Sequence, residues 1–178
     1  MTVKTLEDLF VHALSDIYSA EKQLTKALPK LARAAHNPAL AEAFRMHQEE
    51  TEGQIERIDQ VVEILGIKLK RIKCAAMEGL VEEGAEAIEE IKEGPVRDAG
   101  LINAAQKVEH YEIASYGTLR ALGRQLGYDA SALELIEATL AEEKATDEKL
   151  TLLAEQEANP EAAEEPGRRA PAKKTTKR

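Results

Sequence analysis

Four long stretches of this sequence repeat large apolar residues every three or four positions, and each breaks its apolar stripe with acidic residues near the middle. From Thr5 to about Ala35 the inward series is Leu6, Phe10, Leu14, Ile17, Leu24, Leu28 and Leu31, one face of a helix about eight turns long. Glu21 stands on that face between Ile17 and Leu24. From about Pro38 to Leu65 the series is Leu40, Phe44, Ile58, Val61, Val62 and Leu65, with His47, Glu50 and Gln54 set between Phe44 and Ile58. A third stretch, from about Val96 to Leu126, places Glu109 and Glu112 between Val108 and Leu119. The fourth, from about Ala130 to Glu157, carries Leu133, Ile136, Leu140 and Leu150, broken by Glu143 and Asp147.

The punctuation between the stretches predicts how they connect. Asn37 is placed to cap a helix whose first residue is Pro38, and Gly66 and Gly127 suit helix ends. Ser131 or Asp129 can cap the fourth helix. Residues 67–98 are different: a shorter helical pattern runs from about Met77 to Ile91, is interrupted by Gly79 and Gly84, and closes at Gly94-Pro95. Two helical hairpins joined by one long link predict an all-α, ferritin-like four-helix bundle with one long crossover carrying a short extra helix. Residues 1–157 form that domain. Residues 158–178 hold no large apolar side chain, cannot offset the entropy of ordering, and are expected to be a disordered Ala/Pro/Lys-rich tail.

Composition narrows the function classes. The formal charge is −9 over 178 residues, and the tail has six basic against three acidic residues, so the body is more acidic than the whole. An acidic body is a poor surface for nucleic acid, and only the basic tail offers a salt-sensitive contact with phosphates. Cys74 is the single cysteine, which excludes an internal disulfide and reads as a small buried hydrophobe. The opening "MTVKTLEDLF" has no apolar leader-like core, and no later run reaches the length of a membrane span, so a cytoplasmic protein without membrane contact is expected. No phosphate-binding glycine loop and no Ser/His/Asp or Cys/His nucleophile assembly is present.

The acids inside the stripes need a physical reason. A buried, unpaired carboxylate costs several kcal/mol, against a domain stability of about 5–15 kcal/mol. The stripe residues near them offer no Lys or Arg. One resolution is that these acids sit at the stripe edges in water; the other is that they converge on hard cations, two of which shared carboxylates can bridge. Their level favours convergence, since Glu21, Glu50, Glu109/Glu112 and Glu143/Asp147 all fall about halfway along their helices. The echo of "EETEGQ" (49–54) in "EEKATD" (142–147) further suggests two related hairpins, with Glu50/Gln54 and Glu143/Asp147 each four residues apart on one face.

The stretches "LSDIYSAEKQLTKALPKLARAA", "HQEETEGQIERIDQVVE", "KCAAMEGLVEE", "AAQKVEHYEIASYGTLRALGRQLGY" and "EEKATDEKLT" resemble the YciF/YciE group of ferritin-like stress proteins, in order, over residues 3 to about 155. The resemblance implies a ferritin-like bundle, a homodimer, and a dinuclear metal site within each bundle. On matching positions it makes Glu21, Glu50, Glu109, Glu112, Glu143 and Asp147 the ligands, with Gln54 and His47 either on the metal or holding those that are. The sequence departs from the usual di-iron Glu-x-x-His pairs: Glu49 is followed at 52 by Glu and Glu143 at 146 by Thr, while His47 precedes Glu50. An oxygen-rich set of this kind leaves two Fe ions and Mn as alternatives.

The function expected on this basis is a stress protein whose two metal ions react with dioxygen or peroxide; the alternative is a non-catalytic helical structural or interaction module. Among other residues, His12 and His36 read as surface or helix-end positions. Tyr18, Tyr111 and Tyr116 read as core aromatics with bonded hydroxyls, Tyr18 or Tyr116 being placed to relay electrons if beside a metal. The basic run Lys68, Lys70, Arg71 and Lys73 reads as a solvated part of the crossover, with nucleic-acid contact the lesser alternative.

Overall fold

The chain alternates helices with links that are either very short or very long. The computed structural model describes residues 3–164, and every regular element among them is helical: α1 (Leu6–Ala34), α2 (Pro38–Leu65), α3 (Ala75–Glu90), α4 (Pro95–Leu126), α5 (Ala130–Leu153), one π-helical turn (Ala154–Ala158) and α6 (Asn159–Glu164). None is long and apolar enough to cross a membrane.

Local chemistry sets the ends. Thr5 and Asp8 form a reciprocal capping box at α1, each side chain accepting from the other's backbone N–H. Asn37 accepts from the N–H groups of Ala39 (2.7 Å) and Leu40 (3.2 Å) ahead of Pro38, and Asp129 accepts from Ser131 N (2.8 Å) to start α5. Gly66 and Gly127 end α2 and α4 in the left-handed region, at φ 60° and 67°, which a side chain would strain. The α1–α2 turn is also latched from a distance. Asp98, in the first turn of α4 and closed to solvent, accepts from the N–H groups of His36 and Asn37 at 2.7 Å each.

Packing follows from the apolar faces. α1 packs on α2 and α4, and α5 packs on the same two helices. Side-chain pairs fix the directions: Met46 with Lys149, Glu50 with Thr146, Gln54 with Glu143 and Arg57 with Thr139 make α2 and α5 antiparallel. Asp16 with Tyr111 and Ala34 with Arg97 make α1 and α4 antiparallel. The core they enclose includes Phe10, Leu14, Ile17, Leu24, Phe44, Ile58, Leu101, Leu119, Ile136 and Leu140. Leu6, expected on the inner face, is instead 46% exposed, as the first residue of α1, and the buried face begins at Phe10.

Two expectations are corrected. α3 runs unbroken from Ala75 through Gly79 and Gly84. Gly84 is buried where α3 meets α1, and a Cβ there would lie 3.5 Å from the Leu31 side chain, an ordinary packing contact. At the other end, helical structure does not stop at Glu157 but continues through Glu164. Ala158 is buried in the core cluster and Glu157 accepts from Asn37 Nδ2 at 2.7 Å, which anchors the extension. The rest of the tail, 165–178, lies outside the described residues.

Candidate metal centre

The four long helices each deliver polar side chains to one buried point. Glu109 and Glu112 lie three apart on α4, with Tyr116 one turn further, so all three share a face. His47 and Gln54 lie two turns apart on α2, with buried Thr51 between them returning its hydroxyl to His47 O (2.8 Å). Glu21 comes from α1 and Glu143 from α5. Each of these acids is fully closed to solvent, as is Gln54, and His47 is nearly so.

Ligand atoms of His47, Glu109, Glu112 and Glu143 all lie within 4.8 Å of one another, an arrangement able to hold a metal ion. His47 sits between two carboxylates, Nδ1 at 3.2 Å from Glu109 Oε1 and Nε2 at 3.7 Å from Glu143 Oε2. Tyr116, buried, donates its hydroxyl to Glu21 Oε1. Gln54 donates from Nε2 to Glu143, and to Glu142 at 3.2 Å, leaving its own carbonyl oxygen unpartnered. Of the candidates the sequence marks, the structure therefore gathers Glu21, His47, Gln54, Glu109, Glu112 and Glu143, with His47 at the heart of the group.

Glu50 and Asp147 do not join them. Glu50 is half-buried and accepts from Thr146 Oγ1 at 3.4 Å. Asp147 accepts from Gln106 Nε2 at 3.1 Å and pairs with His110 Nε2 at 3.3 Å, at the solvent edge. A four-residue step turns a helix by about 40° and moves along it by about 6 Å, enough to carry Asp147 from the centre to its rim. Two residues that stripe analysis does not single out support the centre from outside. Arg57 grips Glu142 with both guanidinium nitrogens (2.6 and 2.5 Å) and donates to Thr139 Oγ1 at 3.2 Å. Their signal is faint in sequence, since a half-buried Arg–Glu pair resembles any surface pair.

The electrostatics test whether these residues suit a cation. Apart from Arg97 Nε and Tyr128 Oη, every buried side-chain polar atom without a hydrogen-bond partner among the described residues belongs to this cluster: oxygens of Glu21, Gln54, Glu109, Glu112 and Glu143, and His47 Nε2. Acceptors face acceptors. Burial, then the charge of Glu143, raises the Glu21 carboxyl to about 8, and the same two causes hold Glu109 and Glu112 well above the usual carboxylate range. Burial pushes Glu143 the same way, but contact with and charge of His47, helped by the neighbouring Glu109 carboxyl and the hydrogen bond from Gln54, overcome it and hold its carboxyl below its ordinary value. Burial, with Glu21 beside it, raises the Tyr116 hydroxyl far above its ordinary value, so it stays a donor. Carboxylate and amide oxygens with one imidazole are the donor set of a hard divalent cation, and the orphaned oxygens are the groups such an ion would satisfy. The residues fit the ion.

Comparison with known proteins agrees with this reading of the helices. The sequence profile of a family described as a domain of unknown function, DUF892, matches residues 5–163. Protein YciF of Escherichia coli K12 is 63% identical over 163 residues, covering 91% of this chain and 98% of that protein. The crystal structure of the E. coli stress protein YciF matches at 61% identity with a TM-score of 0.84, over 91% of this chain and 99% of that one. YcfI from Rhodopseudomonas palustris, described provisionally as a structural protein, matches at 47% identity with a TM-score of 0.80, over 84% and 94% of the two chains.

Proposed function

The chain belongs to the DUF892 family of YciF-like helical proteins, and from that premise we propose that it is a ferritin-like stress-response protein whose helices hold a pair of iron or manganese ions. In this reading α1, α2, α4 and α5 are a four-helix bundle, the link bearing α3 is its crossover, the working domain runs through Glu164 with the basic residues beyond it as a tail, and two chains form a cytoplasmic homodimer.

One observation carries the proposal: unpartnered carboxylate oxygens from three of the four long helices are closed to solvent around a single imidazole. Left without a cation, each such group costs several kcal/mol or must take up a proton. Glu21, His47, Glu109, Glu112 and Glu143 would hold the ions, with the Gln54 carbonyl beside them. Glu50 and Asp147, the next carboxylates along α2 and α5, are candidates for any remaining contacts. When bound, the ion pair would supply reaction with dioxygen or peroxide. The chain's own contribution is to exclude water, to hold Glu21 by the Tyr116 hydroxyl, and to fix Glu143 through Gln54 and His47.

Elemental analysis of protein purified from its own host, without chelator, tests this: about two iron or manganese ions per chain support it. Protein isolated without either metal contradicts it. The description of YcfI favours one second reading, a helical structural or interaction module in the stress response. Exposing the iron-loaded protein to air separates the two, since an inert module oxidises no faster than free iron.

A further inference from the structure

On the outer face of α1, away from the carboxylate cluster, five basic residues meet in one groove. Lys22 and Lys26 from α1, with Lys70, Arg71 and Lys73 from the segment between α2 and α3, line an open space of about 590 Å³. No acidic residue lines it, although the chain as a whole carries −9. Among the described residues only Lys73 of the five has an acidic partner, Glu78. Like charges gathered with few counter-charges cost free energy, and a bound anion reduces that cost.

The groove is held in shape rather than formed by loose side chains. Ser15 Oγ accepts from Lys70 N at 2.9 Å, Ser19 Oγ accepts from Cys74 N at 3.0 Å, and Gln23 Nε2 donates to Cys74 O at 3.0 Å, so the basic segment is stitched to α1 at both ends. Leu69 packs inward against the core and anchors the same segment. Lys22 Nζ stands 4.2 Å from the Tyr18 ring centroid, which places an aromatic face beside the cations.

We propose that this groove binds a compact organic phosphate with two or more phosphate groups, of the nucleoside diphosphate class. The phosphates meet the Lys and Arg side chains, and the organic part rests on Tyr18 and Ile72. The volume falls within the range of small-molecule sites. An extended polyanion fits less well, because α3, which starts where the groove ends, presents Glu78, Glu82, Glu83, Glu86, Glu89 and Glu90. Glu7 and Asp8 stand at the start of α1, with Asp8 close enough to Lys70 to feel its charge.

Calorimetric titration of the full chain with ADP, inorganic pyrophosphate, inorganic phosphate and a short DNA duplex, without added divalent ions, tests the assignment. Expected are affinities in the order ADP, pyrophosphate, phosphate, with ADP shifting the amide resonances of residues 69–73. K26Q/R71Q should weaken ADP binding about a hundredfold, from two lost charge-assisted contacts, while K173Q/K174Q in the tail leaves it unchanged. The proposal is overturned if ADP gives neither heat nor shifts, if K26Q/R71Q binds as the parent does, if pyrophosphate equals ADP, or if the duplex binds more tightly than ADP.

Discussion

His47 Nδ1 stands 3.2 Å from Glu109 Oε1 with both side chains shut off from solvent, and the other imidazole nitrogen faces Glu143. This ring is the one potential cation inside the cluster of acids. Replacing His47 by Gln removes the one imidazole among the candidate ligands and the contact that holds the Glu143 carboxyl below its ordinary value. The expected result is at least about a tenfold loss of Mn(II) affinity by isothermal titration, with the helical circular dichroism unchanged. Unaltered affinity would place the ion elsewhere.

Metal-free stability should depend on pH in the direction opposite to an ordinary acidic protein. Glu21, Glu109 and Glu112 have folded-state values raised above the ordinary 4.5, so the stability they contribute is fully present below that value and lost as pH rises through their folded values, about 8 for Glu21. Glu143, Asp8 and Asp129, lowered, work the other way, but what they contribute is lost as pH falls below the ordinary carboxylate range, outside the interval from pH 5 to 8. Chelated protein should therefore melt at a lower temperature at pH 8 than near pH 5, and E21Q/E112Q should flatten the slope. Added Mn(II) should reverse the trend, because ion binding displaces protons. A melting temperature that climbs steadily with pH in chelator would refute the cluster's assigned protonation.

How much of this centre is legible beforehand follows from helix geometry. Glu21, Glu109, Glu112 and Glu143 are visible as acids breaking apolar stripes, since the breaks occur at positions that must face inward. Asp147 and Glu50 carry the same signal yet end at the rim, because the stripe is wider than the cluster and one helical turn separates centre from edge. His47 stands out less, since an isolated histidine on an apolar face is ordinary. The caps at Asn37, Gly66 and Gly127 are local chemistry and can be read directly. Continuation of the last helix to Glu164 cannot, because it depends on Ala158 finding a place in the core and Glu157 finding Asn37 across the molecule.

Arg57 and Glu142 form a brace outside the centre: Arg57 holds Glu142, and Glu142 shares Gln54 with Glu143. R57Q should reduce metal affinity by about ten- to a hundredfold while barely changing metal-free stability, since the pair is partly exposed. Equilibrium dialysis against a competing chelator, with thermal melts alongside, measures both.

Asp98 joins the start of α4 to the α1–α2 turn through two backbone N–H groups. D98A leaves the Asn37 N–H without a partner in a closed site and frees that of His36, at a cost of about 2–4 kcal/mol. Chemical denaturation should show the midpoint falling with the slope preserved. A cost under about 0.5 kcal/mol, the level of an ordinary surface change, would show that the turn does not need the latch.

Anaerobic titration of chelated full-length protein with Fe(II), beside E109Q/E112Q, tests the metal centre most directly. The parent is predicted to saturate at about two ions per chain and then to change its near-ultraviolet absorbance on exposure to air, while E109Q/E112Q stays folded and retains neither behaviour. Iron uptake by the parent no greater than that of E109Q/E112Q would contradict the account.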